Sequence, residues 1–160
     1  MQAIFMTGWN DYRATADRLE KCPLKVVLRP FIGNIHEAYA AADLVVSRAG
    51  ALTCAEILSR GLPALFIPYP HASGHQERNA RLLEEAGSAV VITERELNEE
   101  KLSAALIGLI SDEARLRDMG EKAKALARPD AAKQIVKGLL EMADQKGRGA
   151  GSRAAERKNA

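Results

Sequence analysis

The chain has 160 residues, of which 47% are hydrophobic, 28% charged and 4% aromatic, and its formal net charge at pH 7 is +2. A chain of this length and composition can bury a core without disulfides or a structural metal. It contains no run of about 18 consecutive apolar residues that could span a membrane, and residues 1–9 lack the basic and apolar regions of a signal peptide. We therefore expect a cytoplasmic protein that is at most peripheral at a membrane.

The cysteines and the charge distribution exclude two further classes. Cys22 and Cys54 have no CxxC spacing, which favours free thiols in a reducing compartment over a disulfide framework or a zinc site. Residues 145–160 carry a net charge of about +4, which leaves about −2 for the rest of the chain. A mildly acidic body argues against nucleic acid as a partner.

Five short aliphatic runs alternate with segments of helical period. The runs, at residues 3–6, 25–29, 44–47, 64–67 and 89–92, lack polar alternation, as is typical of strands buried on both faces of a parallel sheet. The segments between them, at residues 11–22, 35–42, 53–60 and 76–86, are long enough to be crossover helices. The pattern predicts an α/β fold with a parallel sheet flanked by helices.

After residue 92 the composition changes to strong helix formers. We expect three helices, at residues 99–111, 112–125 and 130–143, the first of them capped by Asn98. Residues 144–160 show no hydrophobic periodicity and therefore predict a basic, disordered tail after a domain of residues 1–143. The dispersed cations of this tail favour a solvated end over a segment that binds anionic lipid.

The segment that follows the third predicted strand has the features of an anion site. It reads Ser47-Arg-Ala-Gly-Ala-Leu-Thr53, and it leads from a buried strand into a helix. Backbone N–H groups from Gly50 to Thr53 should therefore point outward at the carboxyl edge of the sheet, where they can bind phosphate. Gly50 would let a ligand approach the backbone, the Thr53 hydroxyl can cap the helix or bind phosphate, and Arg48 can add positive charge.

Glu56 has two interpretations at this stage. Thr53 and Glu56 have the spacing of a capping box, in which the carboxylate returns to the backbone of Thr53. Alternatively, Glu56 accepts hydrogen bonds from the two adjacent hydroxyls of a ribose, because a carboxylate has two oxygens that only accept. A diol acceptor one turn beyond a phosphate site would suit a nucleoside diphosphate.

A second polar loop, residues 68–79, follows the fourth predicted strand. It brings His75, Gln76 and Asn79 to the start of the next helix, and side chains that both donate and accept suit sugar hydroxyls. His71 and His75 have a spacing that can bind metal on a helix, but the prolines before them and the absence of a third ligand favour no metal. Ligands of open α/β sheets bind at this carboxyl edge.

Taken together, these segments resemble the donor-binding half of a family of bacterial peptidoglycan glycosyltransferases, of the family 28 type. These enzymes transfer N-acetylglucosamine from UDP-N-acetylglucosamine to undecaprenyl-pyrophosphoryl-muramoyl-pentapeptide, converting lipid I to lipid II. The resemblance covers residues 3–143. It is carried by Phe31-Ile-Gly-Asn-Ile-His-Glu-Ala-Tyr39, Ala42-Asp43, Ser47-Arg-Ala-Gly-Ala-Leu-Thr53 with Glu56, Gly61-Leu-Pro-Ala64, Pro68, and His75-Gln76 with Asn79.

The resemblance implies one half of a GT-B fold, a Rossmann-like parallel sheet with a helical C-terminal extension, and a hexosyltransferase reaction without cofactor or metal. It places Ile32 at the uracil through its main chain and Glu56 at the ribose. The diphosphate would contact Gly50, Ala51, Leu52 and Thr53, with Arg48 stabilising the leaving group. The N-acetylglucosamine would contact His75, Gln76 and Asn79.

The chain also departs from the family pattern. Members begin this domain with a strand and a Gly-Gly-Ser-x-Gly-Ala loop; no such loop precedes Met6, and the acceptor-binding domain and the proposed general base are absent. We therefore expect no catalytic residue in this chain and no activity from it alone. Three hypotheses remain: the donor half of a transferase acting on lipid I at the cytoplasmic face of the membrane, a non-catalytic nucleotide-sugar-binding subunit with a separate acceptor-domain partner, and an inert truncated fragment.

Overall fold

A computed structural model describes residues 1–71 and 74–156 of the chain. Strands and helices alternate as far as residue 91, and only helices follow in the described part of the chain. The strands are β1 (Gln2–Met6), β2 (Lys25–Arg29), β3 (Val45–Ser47), β4 (Ala64–Phe66) and β5 (Ala89–Val91). The helices are α1 (Tyr12–Leu19), α2 (Ile35–Ala40), α3 (Ala51–Arg60), α4 (His75–Glu85), α5 (Glu99–Ile110), α6 (Glu113–Leu126) and α7 (Ala131–Glu156).

All strand pairs among the described residues are parallel, which confirms the predicted α/β class. Strand β1 pairs with β2, with Gln2 opposite Lys25, while β4 lies between β3 and β5, with Ala64 opposite both Val45 and Ala89. The strands thus form two parallel sheets in the described part of the chain. The sequence predicted one sheet, since aliphatic runs identify strands but not which strands are neighbours.

Strand β4 is buried on both faces and separates two hydrophobic clusters. Ala64 and Phe66 pack with residues of α3 and α4, including Cys54, Ile57 and Ala80. Leu65 points to the opposite face, where it packs with Ile92, Leu109 and Met119. Because successive side chains of a strand point to opposite faces, this one strand joins a helical layer on each side. The carboxyl end of this buried sheet carries both predicted binding loops.

The pair β1–β2 departs from the predicted burial on both faces, and so does β3, in which Val46 is exposed. In β2, Lys25, Val27 and Arg29 are exposed while Val26 and Leu28 are half-buried. This alternation is typical of a sheet covered on one face only, and helix α1 is the element that packs on β2. The composition of a five-residue run does not distinguish a strand that is buried on both faces from one that is covered on one face only.

Glycines fix the ends and the packing of helix α3. Gly61 follows its last residue with φ +64°, a left-handed conformation that favours glycine at a helix end. Helix α6 crosses at this point, and a Cβ added at Gly120 would lie 2.7 Å from the carbonyl oxygen of Gly61. Both glycines therefore allow the close approach of α3 and α6. At the start of α5, the predicted cap is confirmed, because the Asn98 side chain accepts a hydrogen bond from Lys101 N at 2.7 Å.

The chain divides into two compact units, Met1–Leu126 and Ala127–Ala160. The first contains both sheets and helices α1 to α6, and the second contains α7. Helix α7 continues to Glu156, into the segment predicted as a disordered tail, whereas residues 157–160 lie outside the described part. The segment contains no proline, so its backbone can continue a helix although its composition gives no periodic apolar face. Among the described residues, none of the helices combines the length and apolar character needed to cross a bilayer.

Candidate functional site

The loop between β3 and α3 brings unpaired backbone donors to the carboxyl edge of the buried sheet. Ala49 is fully buried and anchors the loop, and Gly50 is the N-cap of α3. The first hydrogen bond of the helix runs from Cys54 N to Gly50 O at 2.9 Å. The N–H groups of Ala51, Leu52 and Thr53 therefore precede the helical ladder, as an anion site at a helix N-terminus requires.

Gly50 itself has no internal reason to be glycine. Its φ of −64° and ψ of 145° suit any residue, and a Cβ added there would meet only the Thr53 hydroxyl at 3.8 Å. The space beside it is open to a ligand rather than filled by the protein. This geometry agrees with the hypothesis that a ligand closes on the backbone here.

The capping-box interpretation of Glu56 is wrong. It requires Thr53 as the N-cap, but helix α3 begins at Ala51, so that Thr53 lies within its first turn. The exposed Glu56 carboxylate instead accepts a hydrogen bond from the Tyr39 hydroxyl, with 3.2 Å between Oη and Oε2. The side chain is therefore available at the helix surface for another ligand.

Tyr39 belongs to one of the motifs that carry the family resemblance, but its sequence context indicated no role for it. It lies on α2, packs against the core beside β3, and is half-buried. Burial, followed by the nearby Glu56 carboxylate, raises the pKa of Tyr39 to about 12. The phenol therefore keeps its proton at neutral pH and remains a donor. Tyr39 and Glu56 are 17 positions apart on different helices, and no local spacing signals their contact.

Arg48 has partners that the sequence did not reveal. Its Nη1 donates to the carbonyl oxygens of Ile67, at 3.0 Å, and Pro68, at 3.3 Å, and its Nη2 forms an ion pair with Glu94. The guanidinium also lies 5.6 Å from the ring centroid of Tyr69. Arg48 thus connects the ends of β3 and β4 to the segment after β5, using three of its five N–H groups. Its contact with a diphosphate stays a prediction.

The side chains of Gln76 and Asn79 hold the two loops in place. The Gln76 Oε1 accepts from Tyr69 N at 3.1 Å, and the Asn79 Nδ2 donates to Ala49 O at 3.1 Å. Among the described residues, the other polar atom of each amide has no hydrogen-bond partner and can therefore bind a ligand. His75 is the exposed first residue of α4. His71, the other histidine of the spacing considered for a metal, lies outside the helix. Its ring centroid is 5.5 Å from that of Tyr69.

The structure brings most of the predicted residues to one edge and leaves one on a separate loop. Gly50, Thr53 and Glu56 share α3 and its cap, while Asn79 connects α4 to Ala49. Ile32 lies in the loop between β2 and α2, and the described hydrogen bonds do not link it to α3. Helix α2 packs on α3, however, and a cavity of about 380 Å³ lies between them, lined by Ile35, His36, Tyr39, Glu56, Ser59 and Arg60.

Comparison with curated proteins gives close relatives. The UDP-N-acetylglucosamine--N-acetylmuramyl-(pentapeptide) pyrophosphoryl-undecaprenol N-acetylglucosamine transferase of Desulforamulus reducens is 47% identical over 144 residues, covering 86% of this chain and 39% of that protein. The protein of the same name from Geobacter metallireducens is 45% identical over 141 residues, covering 88% and 39%. The chain thus spans about two fifths of the length of these relatives.

Solved structures with the same fold are also known. The crystal structure of MurG from Acinetobacter baumannii superposes with a TM-score of 0.80 and 30% identity, covering 86% of this chain and 40% of that one. The glycosyltransferase VinC, in complex with DTDP, superposes with a TM-score of 0.69 at 18% identity, a likeness of fold alone. A family model, the glycosyltransferase family 28 C-terminal domain, matches residues 1–135. The chain belongs to this family, and its fold is that of one half of a GT-B glycosyltransferase.

Proposed function

We propose that this chain binds UDP-N-acetylglucosamine as the donor-binding part of the inverting transferase that converts lipid I to lipid II. The uracil would meet the main chain of Ile32, and the ribose hydroxyls would meet Glu56. The diphosphate would lie at the N-terminus of α3, against Gly50, Ala51, Leu52 and Thr53, with Arg48 beside it. The sugar would contact His75, Gln76 and Asn79.

The observation that carries this proposal is the position of Glu56 relative to the start of α3. Its carboxylate lies one turn inside a helix whose first N–H groups, at Ala51 to Thr53, are free of the helical ladder. A nucleoside diphosphate presents two negatively charged phosphates next to a ribose diol, and so matches donors followed by an acceptor. The names of the relatives support N-acetylglucosamine as the transferred sugar.

The chemistry that this chain would contribute is stabilisation of the leaving group. As the glycosidic bond breaks, negative charge develops on the diphosphate, and oriented N–H groups at the helix N-terminus would stabilise it. We assign no catalytic base here. The base and the site for lipid I would come from the part of the relatives that this chain does not span or from a partner chain, at the cytoplasmic face of the membrane.

Calorimetric titration of the chain with UDP-N-acetylglucosamine, UDP and GDP tests the proposal. Saturable binding that prefers UDP over GDP is expected, because Glu56 and the helix N-terminus would hold the ribose and diphosphate while Ile32 reads the base. Circular dichroism verifies that the chain is folded. A folded chain that binds neither UDP nor its sugar conjugate would contradict the proposal.

A further inference from the structure

The contact between Tyr39 and Glu56 joins a fixed side chain to a free one. Tyr39 is half-buried and its ring packs against the core cluster that includes Ile57 and Phe66. Glu56 is exposed on α3. An exposed glutamate samples several rotamers, and ordering it for a ligand costs conformational entropy. The hydrogen bond from Tyr39 Oη to Glu56 Oε2, at 3.2 Å, restricts that freedom before any ligand arrives.

The hydrogen bond leaves the carboxylate able to bind a diol. A carboxylate has two oxygens with about four acceptor positions, of which the phenol occupies one. Tyr39 donates to Oε2 alone, so Oε1 and the second lone pair of Oε2 stay available. With a pKa of about 12, the Tyr39 phenol is protonated at neutral pH and donates its proton to Glu56 Oε2.

Tyr39 also connects this carboxylate to the predicted base-binding loop. Helix α2 begins at Ile35, three residues after Ile32, and ends one residue after Tyr39. It packs on α3. Helix α2, with its half-buried Tyr39, thus sets the position of the Ile32 loop relative to Glu56. The nucleoside would be held by this loop and by the Glu56 carboxylate.

We propose that Tyr39 is a positioning residue, whose hydroxyl orients the Glu56 carboxylate toward the two ribose hydroxyls of a nucleoside diphosphate. The inference rests on the proposed function and adds selection for a ribonucleotide over a deoxyribonucleotide. Tyr39 itself does not touch the ligand in this arrangement. Its removal should affect the ribose contact and leave the diphosphate contact in place.

The test compares UDP with 2′-deoxy-UDP on the full 160-residue chain by calorimetry. The parent should prefer UDP, and Tyr39→Phe should weaken UDP binding by about five-fold, the equivalent of one hydrogen bond, with 2′-deoxy-UDP changed by at most about two-fold. Tyr12→Phe, which removes a hydroxyl from α1 far along the chain from the site, is the matched control and should change neither affinity. In Glu56→Gln, adding Tyr39→Phe should cause little further loss.

The outcomes separate the inference from the proposed function. If the parent binds no UDP, the proposed function fails. If the parent prefers UDP and Tyr39→Phe keeps that preference, or weakens both ligands equally, Tyr39 is a structural residue and only the inference fails. Should Tyr39→Phe not fold, Tyr39→Met, which also removes the hydroxyl and keeps an apolar side chain at this half-buried position, replaces it. An unchanged preference for UDP over 2′-deoxy-UDP in that variant overturns the inference.

Discussion

The side-chain amide of Asn79 donates a hydrogen bond to the carbonyl oxygen of Ala49, with 3.1 Å between Nδ2 and O. Ala49 is fully buried and directly precedes Gly50, the cap of α3. The N-terminal half of α4 is therefore connected to the backbone that would face the diphosphate. An amide that sequence reasoning assigned to the sugar alone has a second role in shaping the loop.

This connection predicts that Asn79→Ala weakens binding of UDP, although UDP lacks the N-acetylglucosamine that Asn79 is proposed to contact. The loss should be about five-fold, since a hydrogen bond that fixes the loop contributes about 1 kcal/mol. His75→Ala, at an exposed position, should weaken the binding of UDP-N-acetylglucosamine and leave the binding of UDP unchanged. Calorimetric titration of both variants with both ligands measures this. If Asn79→Ala affects only the sugar conjugate, the loop does not depend on this bond.

Gly50→Ala should lower affinity for UDP while the chain still folds. The added Cβ meets only Thr53 Oγ1 at 3.8 Å and the backbone angles suit alanine, so the free protein has room for it. A phosphate bound against this backbone would collide with the added Cβ. Gly108→Ala is the control, because Gly108 is exposed in α5 with open space around it. That control should keep UDP affinity, and equal affinities in both variants would argue against a close approach at Gly50.

Gly120→Ala should destabilise the fold by about 1–3 kcal/mol, the typical cost of overpacking. The new Cβ would lie 2.7 Å from Gly61 O, and this neighbour is backbone, so helices α3 and α6 would have to separate. Urea unfolding followed by circular dichroism measures the loss. Gly108→Ala should instead raise the free energy of unfolding by about 0.5–1 kcal/mol, because alanine has a higher helix propensity than glycine. An unchanged midpoint for Gly120→Ala would mean that the two helices can shift at little cost.

The titration of Tyr39 tests its contact with Glu56 in the absence of a ligand. Of the three tyrosines, Tyr39 should ionise near pH 12, and Glu56→Gln should lower that pKa by removing the charge and weakening the bond. Burial remains, so the pKa should stay above its ordinary value of about 10. Because the folded-state pKa is raised, the associated stability is present below about pH 10 and is lost as the pH rises to about 12. Absorbance of the phenolate measures the ionisation, and an identical curve in Glu56→Gln would rule out the contact.

Glu94→Gln should raise affinity for UDP at low salt. The carboxylate forms an ion pair with Arg48, which is predicted to face the diphosphate, and so offsets its charge. Removing that charge should strengthen binding by about two- to three-fold, an effect that decreases as salt screens the site. Glu100→Gln, which makes the same change in net charge at an exposed position of α5, should have little effect. Equal effects of the two variants would show that only overall charge matters.

The sequence by itself determined the order of elements and the position of the two loops that are proposed to bind the ligand. Aliphatic runs without polar alternation gave the strands within one or two residues, and a glycine between strand and helix marked the loop at Gly50. These signals are local, because strand burial, helix capping and turn conformation depend on residues within a few positions. The motif Ser47 to Thr53 with Glu56, joined to the loop that holds His75-Gln76 and Asn79, was the specific part of the family resemblance, which the match over residues 1–135 confirmed.

Only the tertiary structure decided how these local elements meet. It divided the strands between two sheets, began α3 at Ala51 and so excluded the capping box, and paired Glu56 with Tyr39. It also placed Arg48 beside Glu94, 46 positions away. Such contacts depend on which helices pack together, and residues distant in sequence leave no spacing pattern that records their approach in space.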